Sequence, residues 1–276
     1  MSVFFFKGFH MARSSKVVVM LMLLTIGACA SDDEKVFIAE EPVDLLYNKA
    51  LTSDQAGQHK EAVELFAEVE RQHPYSSWAR RSILMAAHAA FKAQNYARTI
   101  ADTERYLELY PGANDAPYAL YLMGMSYYEQ IEDVDRDQGS TAEALKIFNT
   151  IMARYPNSDY ALDAKLKRDL VLDHLAGREM EVGRYYLERN YYGAAIGRFN
   201  EVIRRYETAS HTPEALYRLV ECYAAIGLVN EARRVAAILA YNAADTVWYE
   251  KAFNLLDGNI KPPKGFVGSI AEYLGL

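Results

Sequence analysis

The chain has few of the residues that build catalytic or metal sites, and those it has are scattered. Only 2 of its 276 residues are cysteines, Cys29 and Cys222, so it holds no Cys-x-x-Cys metal motif and no framework of disulfides. Its 6 histidines lie singly, without a His-x-x-x-His pair. Since no nucleophile, base and orienting group are expected to converge, the sequence predicts a protein that is not an enzyme and has no metal or cofactor.

Several other signals are weak or missing. The formal net charge is −7, which lacks the positive excess that nucleic-acid binding requires. The alternation typical of β-strands is essentially missing, which favours an all-α protein. Gly193 and Gly197 lie in a helical pattern and recur as helix-packing glycines would, so they do not indicate a phosphate-binding loop. A hydrophobic content of 51% is nevertheless enough for a core.

The start of the chain has the features of a secretion signal. Residues 17–26 form an uncharged apolar run that is shorter than the roughly 20 residues a membrane span needs, and Arg13 and Lys16 precede it. We therefore expect residues 1–28 to be a signal peptide, whether translation begins at Met1 or at Met11. Its removal takes away three positive charges and leaves the mature chain near −10.

Ile26-Gly27-Ala28-Cys29 is similar to the lipobox of bacterial lipoproteins. That resemblance implies cleavage before Cys29 and attachment of diacylglycerol and acyl lipid to it, and several acyl chains give a durable membrane anchor. The alternative is an ordinary cleavage site that has a cysteine nearby. Ala30 and Ser31 follow without an aspartate, which in such lipoproteins implies transport to the periplasmic face of the outer membrane. Residues 29–42 are expected to be an acylated tether.

The rest of the chain contains a repeated pattern. A small residue is followed four positions later by another residue, often a large one, and then by a helix stop: Ala62/Phe66/Pro74, Thr99/Thr103/Pro111, Ala144/Phe148/Pro156, Ala195/Phe199/Glu207 and, faintly, Ala232/Ala236. Stacked helical hairpins leave this pattern, and tetratricopeptide (TPR) repeats do so about every 34 residues. The sequence therefore predicts an α-solenoid of five TPR-like hairpins, wound as a right-handed superhelix.

The repeats divide the predicted solenoid into two halves. An uninterrupted helical pattern from Ser158 to about Arg189 places the boundary near residue 170. Repeats 1–3 then occupy residues 43–170 and repeats 4–5 occupy residues 171–257. The apolar tail, residues 258–276, either caps the last hairpin or docks on a partner.

The predicted helices also offer a candidate binding groove. Large side chains recur three or four positions apart on the first helix of each early hairpin: Tyr47, Arg81, His88, Phe91, Tyr118, Tyr121, Met125 and Tyr128. Tyrosine offers contact area at a low entropic cost, and methionine adapts to different partners. Such a groove suits an extended peptide that carries aromatic residues. The alternative is that these side chains pack against the neighbouring hairpin.

Four motifs resemble one family more closely than TPR proteins in general. They are Tyr47-Asn48-Lys49-Ala50, Asp135-Arg136-Asp137-Gln138, Tyr155-Pro156-Asn157-Ser158 and Glu181-x-Gly183-Arg184-Tyr185-Tyr186. The chain is similar, from the lipobox to about residue 245, to the BamD (ComL) family. These are lipoproteins of five TPR repeats in the machinery that assembles outer membrane β-barrels.

The resemblance implies a scaffold anchored to outer membrane lipid. Its partners would be the POTRA domains of BamA, other lipoproteins of the machinery, and unfolded outer membrane β-barrel proteins held by the N-terminal repeats. We expect the BamA interface in the fifth repeat, including Arg218, Glu221 and Arg234. A different periplasmic TPR lipoprotein, such as a secretin pilotin or a regulator of cell-wall enzymes, is the alternative. We would not expect the long fourth repeat in such a protein.

Overall fold

The computed structural model describes residues 40–133, 138–256 and 270–276, and within these ranges it has α-helices and no β-strand. The predicted all-α class is confirmed. All the described helices lie within one compact unit, Glu41–Leu276. The predicted signal peptide, Cys29, most of the Asp-Arg-Asp-Gln motif and the start of the tail lie outside the described residues.

The helices follow one another with short connections. In chain order they are α1 (Val43–Gln55), α2 (His59–Gln72), α3 (Ser77–Lys92), α4 (Tyr96–Leu109), α5 (Ala116–Tyr128), α6 (Gly139–Arg154), α7 (Asp159–Glu188), α8 (Tyr192–Arg205), α9 (Thr212–Ala225), α10 (Val229–Asn242), α11 (Val247–Leu255) and α12 (Ile270–Leu274).

Consecutive helices from α1 to α10 pack against each other, both within a pair and between pairs. The pairs α1/α2, α3/α4, α5/α6, α7/α8 and α9/α10 are the five predicted TPR-like hairpins, which are therefore confirmed. We call the first helix of each pair helix A and the second helix B. Because every hairpin rests on the next, the core runs along the stack as a series of clusters.

Four hairpins share one turn between helix A and helix B. Each turn holds one residue with a positive φ of 58° to 82°, and the residue after it donates its amide to the carbonyl five positions earlier; the four positions are Gly57, Gln94, Asn190 and Gly227. This pattern is the Schellman motif, which satisfies carbonyls left open at a helix end. The third hairpin has a longer connection in its place, residues 129–138.

Small residues lie where the two helices of a hairpin cross. A Cβ added at Gly124 would lie 2.9 Å from Cε1 of Phe148, so only glycine fits there as the chain stands. Ala144 is fully buried at the same crossing. Gly193 and Gly197 are different, because nothing lies within 4 Å of a Cβ added at either. Their interpretation as helix-packing glycines was therefore wrong, since they lie on the open side of α8.

Helix α7 has 30 residues and matches the long helical pattern in the sequence. Its first half, up to Val171, packs in one core cluster with Leu120 and Phe148. From Ala176 onward it packs in another cluster, with Phe199. The core thus changes partners along a single helix. Residue 170 lies inside that helix, and the boundary between two halves stays a prediction.

Helices α3, α7 and α11 begin in the same way. The residues before them, Ser76, Ser158 and Thr246, each donate a side-chain hydroxyl to the carbonyl three positions earlier, at 2.8, 2.8 and 2.7 Å. This shared start fixes a common register for the three helices and identifies α11 as another helix A, placed after the fifth hairpin. Helix α11 packs on α9 and α10.

The described part of the tail packs on the chain itself. Helix α12 contacts α8 and α10, with Ile270 and Leu274 buried in the core between them. The amide of Ile270 donates to Oε1 of Glu207 at 2.8 Å, and Arg234 donates to the carbonyl of Leu274 at 3.2 Å. Of the two alternatives for the tail, these contacts favour capping of the last hairpins.

Candidate functional site

The helices A lie side by side along the stack, and their contacts carry a repeated group of side chains. At three of these contacts, a tyrosine of one helix A packs against an aromatic residue of the next helix A. The tyrosine follows a leucine in the sequence, and a charged residue lies three positions after the second aromatic residue. The three groups are Tyr47/Trp78/Arg81, Tyr121/Tyr160/Asp163 and Tyr217/Trp248/Lys251, with ring centroids 4.7, 5.2 and 5.7 Å apart. Both tryptophans of the chain hold the same position.

The charged residue differs between the groups. In the first and last groups it is a cation near the ring faces: Arg81 lies 5.8 Å from the Trp78 centroid and Lys251 lies 4.5 Å from the Trp248 centroid. In the middle group the hydroxyl of Tyr121 donates to Oδ2 of Asp163 at 2.7 Å. Burial and the Asp163 carboxylate raise the pKa of Tyr121, so this phenol stays neutral. The middle group therefore has a carboxylate at the position where the first and last groups have a cation.

Tyr47 requires a correction. Its side chain is only 6% exposed and packs between Phe66 and Trp78, so it belongs to the core of the first hairpin and does not line a groove. Trp78 of α3, the next helix A, covers the Tyr47 ring. Arg81 remains exposed above these rings.

The second helix A contact joins His88 of α3 to Tyr118 of α5. Nδ1 of His88 and the hydroxyl of Tyr118 are hydrogen-bonded, and the Tyr118 ring lies 5.5 Å from that of Tyr160. Burial raises the pKa of Tyr118 to about 12. Burial, followed by the nearby Lys92 ammonium, lowers the pKa of His88. Both groups are thus favoured in their neutral forms, in which the phenol donates and the imidazole accepts.

Charged groups extend this row at each end. Nζ of Lys92 donates to Asp54 at 3.3 Å, and Asp54 also pairs with His59 at 2.7 Å. At the other end, Nζ of Lys167 lies 4.8 Å from the centroid of Tyr128. The row therefore runs from the exposed Lys92 through the half-buried tyrosines to the half-buried Lys167.

Two other predicted residues lie beside the row. Met125 is half-buried against the third core cluster. Phe91 packs on Tyr96 at 5.8 Å, within the second hairpin. The structure thus brings His88, Tyr118, Tyr121 and Tyr128 into the row, with Met125 and Phe91 beside it. Arg81 lies instead at the contact of α1 and α3.

Three residues of α7 contribute to this site and were not predicted from the sequence. Tyr160, Asp163 and Lys167 stand one turn apart on the side of α7 that faces α5. Their spacing of three and four residues was visible in the sequence as a helix face. It could not be assigned to the groove without knowing that α7 lies next to α5.

The residues predicted for the BamA interface divide into two places. Arg218 and Glu221 form an ion pair at 2.9 Å and line a cavity of about 620 Å³ together with Leu187, Tyr192 and Leu255. Arg234 instead lies on α10, where it pairs with Glu231 at 3.2 Å and holds the end of α12. Two of the three residues therefore share one concave site, formed by α7, α8, α9 and α11.

Elsewhere the described residues show no group of histidines, cysteines and carboxylates that could hold a metal ion. Cys222 is buried, and burial raises its pKa to about 12, so its thiol is a packing group. None of the described helices is long and apolar enough to cross a membrane.

Five stacked hairpins with a row of aromatic, hydrogen-bonded side chains define a TPR-type scaffold. Residues 39–238 match the family model described as YfiO, outer membrane lipoprotein. The chain is 48% identical over 245 residues to the outer membrane protein assembly factor BamD of Caulobacter vibrioides, covering 88% of this chain and 80% of the relative. It is 39% identical over 233 residues to BamD of Rickettsia prowazekii, covering 84% and 92%. The chain belongs to this BamD (YfiO) family of outer membrane protein assembly factors.

Among solved structures, the TPR domain of P58(IPK) matches with a TM-score of 0.41 at 14% identity, over 78% of this chain and 56% of that chain.

Proposed function

We propose that this chain is a lipid-anchored scaffold that binds BamA through its C-terminal repeats and receives unfolded outer membrane β-barrel proteins on its N-terminal repeats. Membership of the BamD family supports the role in assembly over the pilotin and cell-wall alternatives. The observation that carries the substrate site is the row on α3, α5 and α7. Its tyrosines are half-buried and neutral, and the hydroxyls of Tyr118 and Tyr121 are held by His88 and Asp163, so they offer flat ring surface in a fixed position.

The chemistry of this row suits an extended segment that ends in an aromatic residue. A terminal ring can stack where Tyr118, Tyr121 and Tyr160 meet, because their rings are already held 5.2 to 5.5 Å apart by their neighbours. Lys92 and Lys167 stand at the two ends of the row and can attract a terminal carboxylate. The scaffold would therefore recognise the C-terminal segment of an unfolded β-barrel by stacking and charge, without making or breaking a bond.

A titration with a peptide from the C-terminus of an outer membrane β-barrel tests the substrate site. The protein is the mature chain, residues 29–276, with Cys29→Ser so that it stays free of lipid. We expect Tyr121→Ala and Tyr128→Ala each to weaken binding about tenfold or more, since truncated aromatic anchors cost that much in interfaces. Tyr121→Phe should retain most of the affinity because the stacked ring remains.

Tyr75→Ala is the matched control, because Tyr75 is fully exposed on a connection outside the row. It should bind the peptide as the parent chain does. Unchanged affinity of Tyr121→Ala, with intact helical circular dichroism, would count against the row as the substrate site.

The cavity at Arg218 is the proposed contact for the POTRA domains of BamA. Its lining combines apolar side chains with an ion pair whose partners are half-buried, a mixture found at the centre of many interfaces. We expect Arg218→Ala to weaken binding of the isolated POTRA domains about tenfold. Arg233→Ala, an exposed arginine of α10, is the control for loss of one charge in the same half. Equal losses in both variants would contradict this assignment.

We also propose that Cys29 carries the lipid. In fractionated envelopes the full chain should then copurify with BamA in the outer membrane, whereas Cys29→Ser should move to the soluble periplasmic fraction. A secretin or a murein hydrolase in place of BamA would support the alternatives instead.

A further inference from the structure

The first half of α7 carries an apolar stripe that nothing in the described residues covers. Leu162, Leu166 and Leu170 follow each other at one-turn intervals and are 72%, 58% and 55% exposed. Single exposed leucines are ordinary, but three on one helix face form a contiguous patch. We call these three residues the leucine stripe.

The register of the helices A shows what kind of surface this is. Ser76 and Ser158 begin α3 and α7 with the same hydroxyl contact, and Trp78 and Tyr160 stack on the preceding helix A in the same way. In this register Leu166 corresponds to Leu84, which is buried in a core cluster with Ala119 and Leu122 of the following helix A. Leu170 corresponds to His88, which contacts Tyr118 of that helix.

The leucine stripe is therefore the face on which a further helix A would stack. No such helix follows, because α7 continues for another 18 residues after Leu170 and its second half pairs with α8. The three N-terminal hairpins thus end in a helix A whose stacking face is open.

The other terminal helix A of the protein provides a comparison within the same chain. In α11 the positions that correspond to Leu162 and Leu166 are Glu250 and Asn254, both exposed. A polar outer face is what the last element of a solenoid needs in order to stay soluble. Helix α11 meets this requirement and α7 does not, although a hydroxyl-to-carbonyl hydrogen bond precedes both helices.

The charges around the stripe indicate the chemistry of its occupant. At 100° per residue, four aspartates border the three leucines on α7: Asp159, Asp163, Asp169 and Asp173. Asp163 is hydrogen-bonded to Tyr121, Asp169 pairs with Arg168 at 2.6 Å, and Asp173 accepts the amide of Ser210 at 2.7 Å and lies 4.0 Å from His211. Lys167 lies further around the helix, and Lys165 lines a cavity with Leu162 at the N-terminal end of the stripe.

The acidic border continues beyond α7. Leu170 also lines a cavity of about 610 Å³ with the carboxylate residues Glu129, Glu132 and Asp133. An apolar stripe inside an acidic border is complementary to a helix with an apolar face and basic flanks.

We propose that the leucine stripe is a docking surface for a basic amphipathic α-helix of a partner protein, which stacks on α7 as an additional helix A. The stripe extends about 12 Å along the helix axis, which matches two to three turns of the partner. This surface adjoins the tyrosine row, since Leu170 and Tyr128 line one cavity, but its leucines lie outside the row and outside the cavity at Arg218. It would add a third partner to the scaffold.

A synthetic helical peptide of about 18 residues, or five turns, tests the proposal. The probe has leucines at i, i+4, i+7 and i+11 with flanking lysines, and a second peptide has glutamates in place of the lysines. Fluorescence anisotropy with residues 29–276 carrying Cys29→Ser gives the affinities. We expect Leu166→Ser to weaken binding of the basic peptide about tenfold or more, as loss of a buried leucine requires.

Leu109→Ser is the matched control, because Leu109 is a similarly exposed leucine that ends α4. It should bind the basic peptide as the parent chain does. The acidic peptide should bind at least about tenfold more weakly than the basic one, and added salt should reduce that difference. Equal binding of the two peptides, or unchanged binding by Leu166→Ser, would overturn the proposal.

Two further measurements distinguish docking of a partner helix from self-association and from damage to the scaffold. Sedimentation should show that the parent chain stays monomeric; a dimer that Leu166→Ser abolishes would overturn the proposal in favour of a second copy of this chain. Leu166→Ser should also retain affinity for the β-barrel peptide and the POTRA domains. Loss of all three ligands together would show damage to the scaffold and would likewise contradict a separate site.

Discussion

Replacing Gly183 with alanine should lower the free energy of unfolding by about 1–3 kcal/mol, the usual cost of overpacking. The added Cβ would lie 2.4 Å from Cε1 and 2.8 Å from Cζ of Phe199, closer than carbon atoms can approach. Phe199 is fully buried between α7, α8 and α9, so its ring has no free space to move into. Overpacking should outweigh the roughly 1 kcal/mol by which alanine favours a helix over glycine. Urea unfolding followed by circular dichroism measures the difference.

Gly197→Ala is the matched control, since Gly197 lies inside α8 with nothing within 4 Å of an added Cβ. This change should raise the free energy of unfolding by about 0.5–1 kcal/mol through helix propensity alone. Combining Gly183→Ala with Phe199→Leu should recover part of the loss by removing ring atoms. If both glycine variants shift stability in the same direction, the crossing of α7 and α8 is looser than these distances require.

The contrast between these two glycines shows how far sequence reasoning reaches. Spacing along the chain predicts hairpins and their small and large pairs, such as Ala144 and Phe148, because the partners lie within one hairpin. Spacing does not tell which side of a helix is open. The sequence predicted packing for Gly197, which is open, and made no such prediction for Gly183, which lies against Phe199.

The candidate site shows the same limit over longer distances. Tyr118 and Tyr121 can be placed on one face of α5 from their spacing of three. The hydrogen bond from Tyr121 to Asp163 joins residues 42 positions apart and depends on how α7 lies against α5. Tyr47 has the same Leu-Tyr context as Tyr121 but is buried, because a tryptophan in place of Tyr160 covers it.

The leucine stripe illustrates a further limit. Leucines at intervals of four residues are typical of a buried helix face, and the sequence alone would place them in the core. They are exposed because α7 continues where another hairpin would otherwise stack. Whether a helix face is covered thus depends on where the following element packs. The periodicity of the helix itself does not reveal this.

Replacing the repeated phenylalanine of helix B with alanine should lower the free energy of unfolding substantially. Which helices lose protection from hydrogen exchange should depend on the hairpin that is changed. Phe66, Phe148 and Phe199 follow the small residue of helix B by four positions, and all are fully buried. Each change to alanine should cost about 3–5 kcal/mol, the range for a buried phenylalanine. The stability of a solenoid is approximately the sum of the stabilities of its hairpins and of the contacts between neighbouring hairpins. The loss should therefore be confined to the changed hairpin and its neighbours.

Phe66→Ala weakens the first hairpin, which has a neighbour on one side only within the described helices. Hydrogen exchange should therefore show faster exchange in α1 and α2, with protection largely kept from α5 onward. Phe148→Ala weakens the third hairpin, whose cluster includes α5, α6 and the first half of α7. Because α7 belongs to the fourth hairpin and also packs on the third, hydrogen exchange should become faster in the second and fourth hairpins as well as in the third. Uniform loss of protection in Phe66→Ala would contradict hairpin-by-hairpin stability, since it would mean that the stack unfolds as one unit.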